Sequence, residues 1–243
     1  MSDISFFHIA SVYPKATKFV VENVRKYHPN NFYHLCVDGT DNYSYLAEEY
    51  NLDYRYYTQK IGGPVSPYGY DLDRVLSFLF RFKQACERCN TSHIMMLEDD
   101  VLLIKPVTVR NVHIQGHQIT HGNKIPENIL HLIEISSGKK PNVDYYSAGG
   151  GTIFDVEIFL QNYYKVVSFF ESHFISLQSQ YPTIGYIDCF MVIYYLLCGS
   201  DYDINSNMTD THNHQPGFDY NSFINNLNSN IEIVNNYKKF YYE

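Results

Sequence analysis

Apolar and polar positions follow a repeating order along the first hundred or so residues. Ile4 to Ser11 is a short apolar run closed by Tyr13-Pro14, and beyond it Val20, Val24 and Tyr27 recur at helical spacing with Pro14 near the first turn. The pattern predicts a strand and then a helix. Phe32 to Val37 reads as a second strand, closed by the turn-forming Asp38-Gly39-Thr40-Asp41. A short helix is predicted around Tyr45 to Tyr50, and a third strand over Asp53 to Tyr57. A loop holding Gly62, Gly63, Pro64, Pro67 and Gly69 comes next. A long helix from about Asp73 to Asn90 then leads into a fourth strand, His93 to Leu97.

Strands that alternate with helices in this way imply a mostly parallel sheet covered on both faces. Ligands of such sheets bind outside the carboxyl ends of the strands. Two acidic sites fall there: Asp38 after the second strand, and Glu98-Asp99-Asp100 after the fourth.

The later half is less regular. From Pro106 to Val143 prolines, histidines and short β-like pieces predict an irregular excursion in which apolar residues persist. Ala148-Gly149-Gly150-Gly151 follows, and Asp155 reads as the N-cap of a helix over Val156 to Tyr164, with a further helix continuing toward Gln180. Ile187 to Cys198 is apolar almost all round and stops at Gly199, which suits a buried helix with a glycine C-cap and Asp188 at its start. The tail from Ser200 is polar, with a weak helical pattern from near Ser222.

Composition narrows the possibilities. A chain of 243 residues, 45% hydrophobic and 18% charged, can bury a substantial core and is expected to form one domain. The formal net charge of −8, with no basic run longer than Lys139-Lys140 or Lys238-Lys239, argues against nucleic acid or an anionic bilayer as partner. The start, MSDISFFHIASVYP, lacks a signal peptide's basic opening and long apolar core, and the longest apolar stretch, Phe190 to Cys198, is far below the ~20 residues of a membrane span. A cytoplasmic protein with no transmembrane segment is expected. Five scattered cysteines agree, and Cys86-Glu-Arg-Cys89, with no second pair, reads as ordinary thiols. In that compartment the Asn-x-Ser/Thr triplets at Asn42, Asn90 and Asn207 carry no glycan. Most of the 24 tyrosines are expected in the core and sheet.

Chemistry concentrates in HIMMLEDDVLLI, residues 93–104, where an apolar strand runs straight into three acids. Adjacent carboxylates repel, and at the end of a buried strand they need a cationic partner. As hard oxygen ligands at alternate positions of a turn, Glu98 and Asp100 can point two oxygens at Mn²⁺ or Mg²⁺. Such a cation would bridge to a diphosphate and neutralise a leaving group. By contrast His113, His117 and His121 recur every four residues but are interrupted by Gly116 and Gly122, so no single helix presents them together.

With the β-α-β-α-β-α-β lead-in, these segments resemble the nucleotide-sugar-dependent glycosyltransferases of the GT-A fold, over residues 4 to 105 in order and more loosely to 215. FYHLCVDGTDN resembles the strand and turn whose acid contacts the nucleotide base, and RFKQACERCNTSHIMMLEDDVLL the helix and strand delivering the D-x-D motif, here as E-D-D. The resemblance implies an α/β fold with a Rossmann-like, mostly parallel sheet, 1–105 forming the nucleotide-sugar-binding half and 106–243 the acceptor-binding half with the polar tail. It makes Asp38 a nucleotide contact, Asp100 the direct metal ligand, Glu98 a metal or ribose contact and Asp99 a further donor contact. Arg74 and Arg81, on one helix face, are similar to positions that reach ribose or phosphate, and Gly149 and Gly150 belong to a glycine run before a strand, which lets backbone approach a sugar. His214, preferred over His212, resembles the histidine that completes the metal shell, and Asp188 the general base of inverting members.

The implied activity is metal-dependent transfer from a nucleotide sugar, a UDP-sugar first, to a hydroxyl on a glycan or protein. Two alternatives stay open: a retaining transferase, in which Asp188 is structural or binds sugar, and a non-catalytic protein binding carbohydrate or a divalent cation. The chain lacks the Q-x-x-R-W segment of processive polysaccharide synthases and the G-x-G-x-R segment of sugar-phosphate nucleotidyltransferases.

Overall fold

A computed structural model of the chain describes residues 4–10, 14–39, 41–61, 71–99, 101–103, 106–116, 124–144, 150–180, 188–203 and 212–213. The first half follows the predicted order. Strand β1 (Ile4–Ala10) leads to α1 (Pro14–Tyr27), β2 (Tyr33–Asp38) to α2 (Ser44–Tyr50), and β3 (Asp53–Tyr57) to α3 (Leu72–Arg88), after which β4 spans His93–Leu97. Asp38 is thus the last residue of its strand rather than the first of a turn.

The second half contains β5 (Leu102–Leu103), β6 (Ile114–Gln115), α4 (Glu127–Ser137), β7 (Ile153–Asp155), α5 (Val156–Gln180), α6 (Asp188–Leu197), β8 (Tyr202–Asp203) and β9 (His212–Asn213). Seven strands form one sheet in the order β3-β2-β1-β4-β7-β6-β8, and β5 pairs with β9 in a separate two-stranded sheet. Strand β7 runs antiparallel to both β4 and β6, while every other pairing in the large sheet is parallel.

Side-chain alternation builds the core on both faces. Phe7, Cys36, Ile94, Met96 and Phe154 point to a layer made by α3, α5 and α6; Phe6, Leu35, Val37, Met95, Leu97 and Ile153 point to the opposite layer with α1, α2 and β5. Burial on both sides is why β1, β2 and β4 read as near-continuous apolar runs, whereas the edge strand β3, with its exposed Arg55 and Tyr56, does not. Phe82 of α3 meets Phe7, Phe154 and Phe159 edge-on at centroid distances of 5.1, 5.6 and 4.8 Å. Aromatic contacts of this kind add about 0.5–1.5 kcal/mol each beyond burial. Two of the fully buried tyrosines use backbone acceptors, Tyr194 donating to the Phe159 carbonyl and Tyr195 to that of Asp155, each at 2.6 Å.

Two expectations are corrected. The stretch after Pro106 is not wholly irregular: β6 inserts into the sheet, and α4 buries Ile129 and Ile133 before Gly138 ends it at a positive φ of 72°. A two-residue strand leaves no period, and a stripe of only two fully buried positions between Pro126 and Gly138 is faint. The helix beginning at Val156 does not divide near Tyr164 but continues unbroken to Gln180, because Val166, Phe170, Phe174 and Leu177 keep its inner face buried. Both predicted caps are present. Asp155 Oδ1 accepts from the Ile158 N–H at 2.8 Å, and Gly199 follows α6 at φ 72°. The helical pattern from Ser222 lies outside the described residues.

Candidate active site at the carboxyl edge of the sheet

Strand β4 ends at Leu97, in register with His8 of β1, and the chain turns at once, the Val101 N–H donating to the Glu98 carbonyl at 3.2 Å. Glu98 and Asp99 are both partly buried in this turn. Asp99 is engaged from beneath: its Oδ1 accepts from the Thr17 hydroxyl at 2.7 Å and lies 3.0 Å from His8 Nε2. The other ring nitrogen of His8, Nδ1, is 2.6 Å from the Tyr33 hydroxyl. Burial first, and then the negative charge of Asp99, hold the Tyr33 phenol well above its ordinary pKa, with Arg25 opposing. Facing a carboxylate oxygen, Nε2–H of His8 donates to Asp99, while the Tyr33 hydroxyl meets the other ring nitrogen. A chain of hydrogen bonds therefore runs from β2 through β1 into the acidic turn.

Asp38 and Arg81 form a second polar centre at the same edge. Both side chains are fully buried, and Asp38 Oδ2 accepts from Arg81 at 3.1 Å and from the Ile61 N–H at 2.7 Å. Arg81 also donates to the Gln59 carbonyl at 2.7 Å, and its guanidinium lies 4.0 Å from the Tyr57 ring centroid. The two residues implied as separate nucleotide contacts are thus partners of each other, and they tie the chain leaving β3 to β2 and α3. Burial pushes the neighbouring Cys36 thiol up to about 12 against the pull of Arg81, so the thiol stays protonated. Arg74, two turns earlier on α3, is partly exposed and sits 3.5 Å from Asp71, the residue that caps the helix.

Because β7 runs against β4, the residues entering it arrive at this same edge. The Gly151 N–H donates to the Met96 carbonyl at 2.6 Å and the Met96 N–H to the Thr152 carbonyl at 2.9 Å, two residues before Glu98. Gly150 and Gly151 are buried, and Gly151 has φ 93°, a backbone open essentially to glycine alone. The small sheet completes the edge. Leu102, two residues after Asp100 in sequence, pairs with Asn213, the residue before His214, so His212–Asn213 lie beside the strand that follows the acidic turn.

Among the predicted site residues, the sheet edge therefore brings together Asp38, Arg81, Glu98, Asp99 and Gly150. Gly149, Asp100 and His214 lie outside the described residues, and Asp188 is described only as the first backbone position of α6. Among the described residues no three His, Cys, Asp or Glu side chains gather as a metal site. His113 instead faces Ser200, with Nδ1 to Oγ at 3.1 Å, while His117 and His121 lie outside the description. Three residues were missed in the sequence: His8 and Thr17, which contact Asp99, and Tyr33, which reaches His8 from the start of β2. The signal was a histidine inside the apolar run Ile4-Ser-Phe-Phe-His-Ile-Ala, since a polar ring buried in a central strand requires partners.

No protein-family model matches this chain, and no curated protein matches it. Solved structures do. The crystal structure of the galactosyltransferase LgtC in complex with donor and acceptor sugar analogs aligns over 96% of this chain and 82% of that chain, at 13% identity and a TM-score of 0.51. The chain has the GT-A fold. A structure of an active-site mutant of LgtC aligns over 82% of this chain and 72% of that one at 14% identity, with a TM-score of 0.46, too low to add to that statement. Within the GT-A frame, the acidic turn, the Asp38–Arg81 pair and the glycine run all lie where the parallel strands end, the edge at which ligands of such sheets bind. No helix among the described residues is long and apolar enough to cross a membrane.

Proposed function

We propose that the chain is a glycosyltransferase that takes a sugar from a nucleotide sugar, a UDP-sugar first, and moves it to a hydroxyl on a glycan or protein. One observation carries the reading: in a sheet of GT-A order, an acidic turn leaves β4 at the carboxyl edge with the glycine-run backbone bonded to the same strand. The donor set fits a hard divalent cation, since it consists of carboxylates with a single imidazole. Asp100, Glu98 and His214 would hold Mn²⁺ or Mg²⁺. When bound, the metal supplies charge neutralisation at the diphosphate as the glycosidic bond breaks.

The remaining roles belong to the chain itself. The glycine run at Gly149 and Gly150 lets the backbone approach the sugar without side chains in between, and Arg74 offers a partly exposed guanidinium toward ribose or phosphate. Asp38 and Arg81 serve the nucleotide by fixing the path of Gln59 to Ile61, because direct contact would require opening a fully buried ion pair at a cost of several kcal/mol. Asp188 takes the proton from the acceptor hydroxyl as it attacks the anomeric carbon; the N-terminus of α6 favours its ionised form.

A panel of nucleotide sugars, scored for metal-dependent hydrolysis and, with acceptors, for transfer, tests the reading. One donor is expected to stand out, with an inverted anomeric centre by NMR, and Asp188→Ala should bind that donor normally while transfer stops. Full turnover in Asp188→Ala, or a retained configuration, would remove the inverting assignment; hydrolysis of no donor would remove the enzyme.

A further inference from the structure

We propose that Asp99 is not a ligand for the donor or its metal but the anchor of the acidic turn, and that His8 and Thr17 are the positioning residues that hold it. The proposal rests on the glycosyltransferase reading and assigns the three acids of that site different work. Consecutive carboxylates repel, so a turn that presents them must be held in shape before any cation arrives. Here the holding groups come from separate elements. His8 is supplied by β1, Thr17 by α1, and Tyr33 of β2 braces His8 from behind. His8, Thr17 and Tyr33 are almost wholly buried, so each hydrogen bond is sheltered from water.

Both donors reach the same atom, Oδ1 of Asp99. That detail separates anchoring from ligation. An asparagine at this position keeps an amide oxygen able to accept from Thr17 and His8, yet carries no charge for a cation. Anchoring is therefore satisfied by Asp99→Asn and lost in Asp99→Ala, whereas ligation is lost in both. Thr17→Val removes one anchor bond with nearly unchanged volume, and Thr17→Ser restores the hydroxyl.

The experiment measures binding of Mn²⁺ with UDP by calorimetry, and hydrogen exchange of the Val101 amide, which closes the turn on Glu98, in the full-length protein and four variants. Loss of an outer partner costs metal sites about 10–100-fold, so Asp99→Ala and Thr17→Val should each weaken Mn²⁺ binding about tenfold or more and speed Val101 exchange. Asp99→Asn and Thr17→Ser should stay within about threefold of the natural protein in affinity, well short of that loss. If Asp99→Ala fails to fold, the comparison of Asp99→Asn with the two Thr17 variants still decides. Asp99→Asn losing tenfold or more while Thr17→Ser binds normally would make Asp99 a ligand and overturn the proposal. So would Thr17→Val matching the natural protein in both binding and exchange. Should the natural protein bind neither UDP nor Mn²⁺, the glycosyltransferase reading falls and this proposal falls with it; in every other failure only the anchor is lost.

Discussion

His34 and Asp53 face each other where β2 and β3 begin, at the sheet edge opposite the candidate site, with Nδ1 2.5 Å from Oδ2. The His34 ring stacks on Phe7 at 5.7 Å, and Arg88 pairs with the other oxygen of Asp53. Burial alone would raise the Asp53 carboxyl, but the hydrogen bond from His34, with His34, Arg88 and Arg55 nearby, outweighs it and holds the pKa below the ordinary value. A depressed carboxyl stabilises the fold above its unfolded pKa of about 3.9 and loses that contribution as the pH falls through the lower folded value. The urea midpoint of the natural protein should therefore drop more steeply below about pH 4 than that of Asp53→Asn; parallel pH profiles would contradict the pairing. Such partnerships are poorly legible in a sequence. His34 and Asp53 appear there only as polar residues at strand starts, and Asp99 as one acid of three, because the groups that complete them lie 19 and 91 positions away.

Among elements, α3 does the most to organise the carboxyl edge. It packs Phe78 and Phe82 against the sheet and sends Arg81 under the end of β2, where the guanidinium closes on Asp38 and Gln59. Removing one member of a buried ion pair leaves the other charged and unmatched, a loss of about 3–5 kcal/mol. Arg81→Met should show a loss of that size in urea unfolding, together with weaker nucleotide binding; a variant as stable as the natural protein would mean that Asp38 finds another partner. The helix itself was legible, since its amphipathic period and the following strand are strong over Asp73 to Leu97. Strand β7 was legible only as the strand that follows the glycine run, β6 only as one of the short β-like pieces after Pro106, and the place of neither in the sheet could be read. At two and three residues they are too short to show alternation, and their pairing comes from β4 and β8 rather than from local preference. Helix α4 was hidden for a related reason, its buried face being narrow.

At the scale of the whole molecule, alternating strands and helices over the first half sufficed to expect a mostly parallel sheet with acids at its carboxyl edge, and β3-β2-β1-β4 is that sheet. The reversed β7 extends it and turns the glycine run toward the acids, which no periodicity announces. The edge assembled in this way is the ground for proposing a donor site there rather than a solvated acidic loop. If the acidic turn grips a divalent cation that in turn grips a diphosphate, the two ligands must be energetically coupled, and the coupling must be reciprocal. Calorimetric titration of the chain with UDP, with and without saturating Mn²⁺, and with Mn²⁺, with and without saturating UDP, measures this directly. The account predicts that each ligand tightens the other by the same factor, and that Asp100→Ala abolishes the coupling. Binding of the two ligands independently of one another, or failure of UDP to bind even at saturating Mn²⁺, would contradict it.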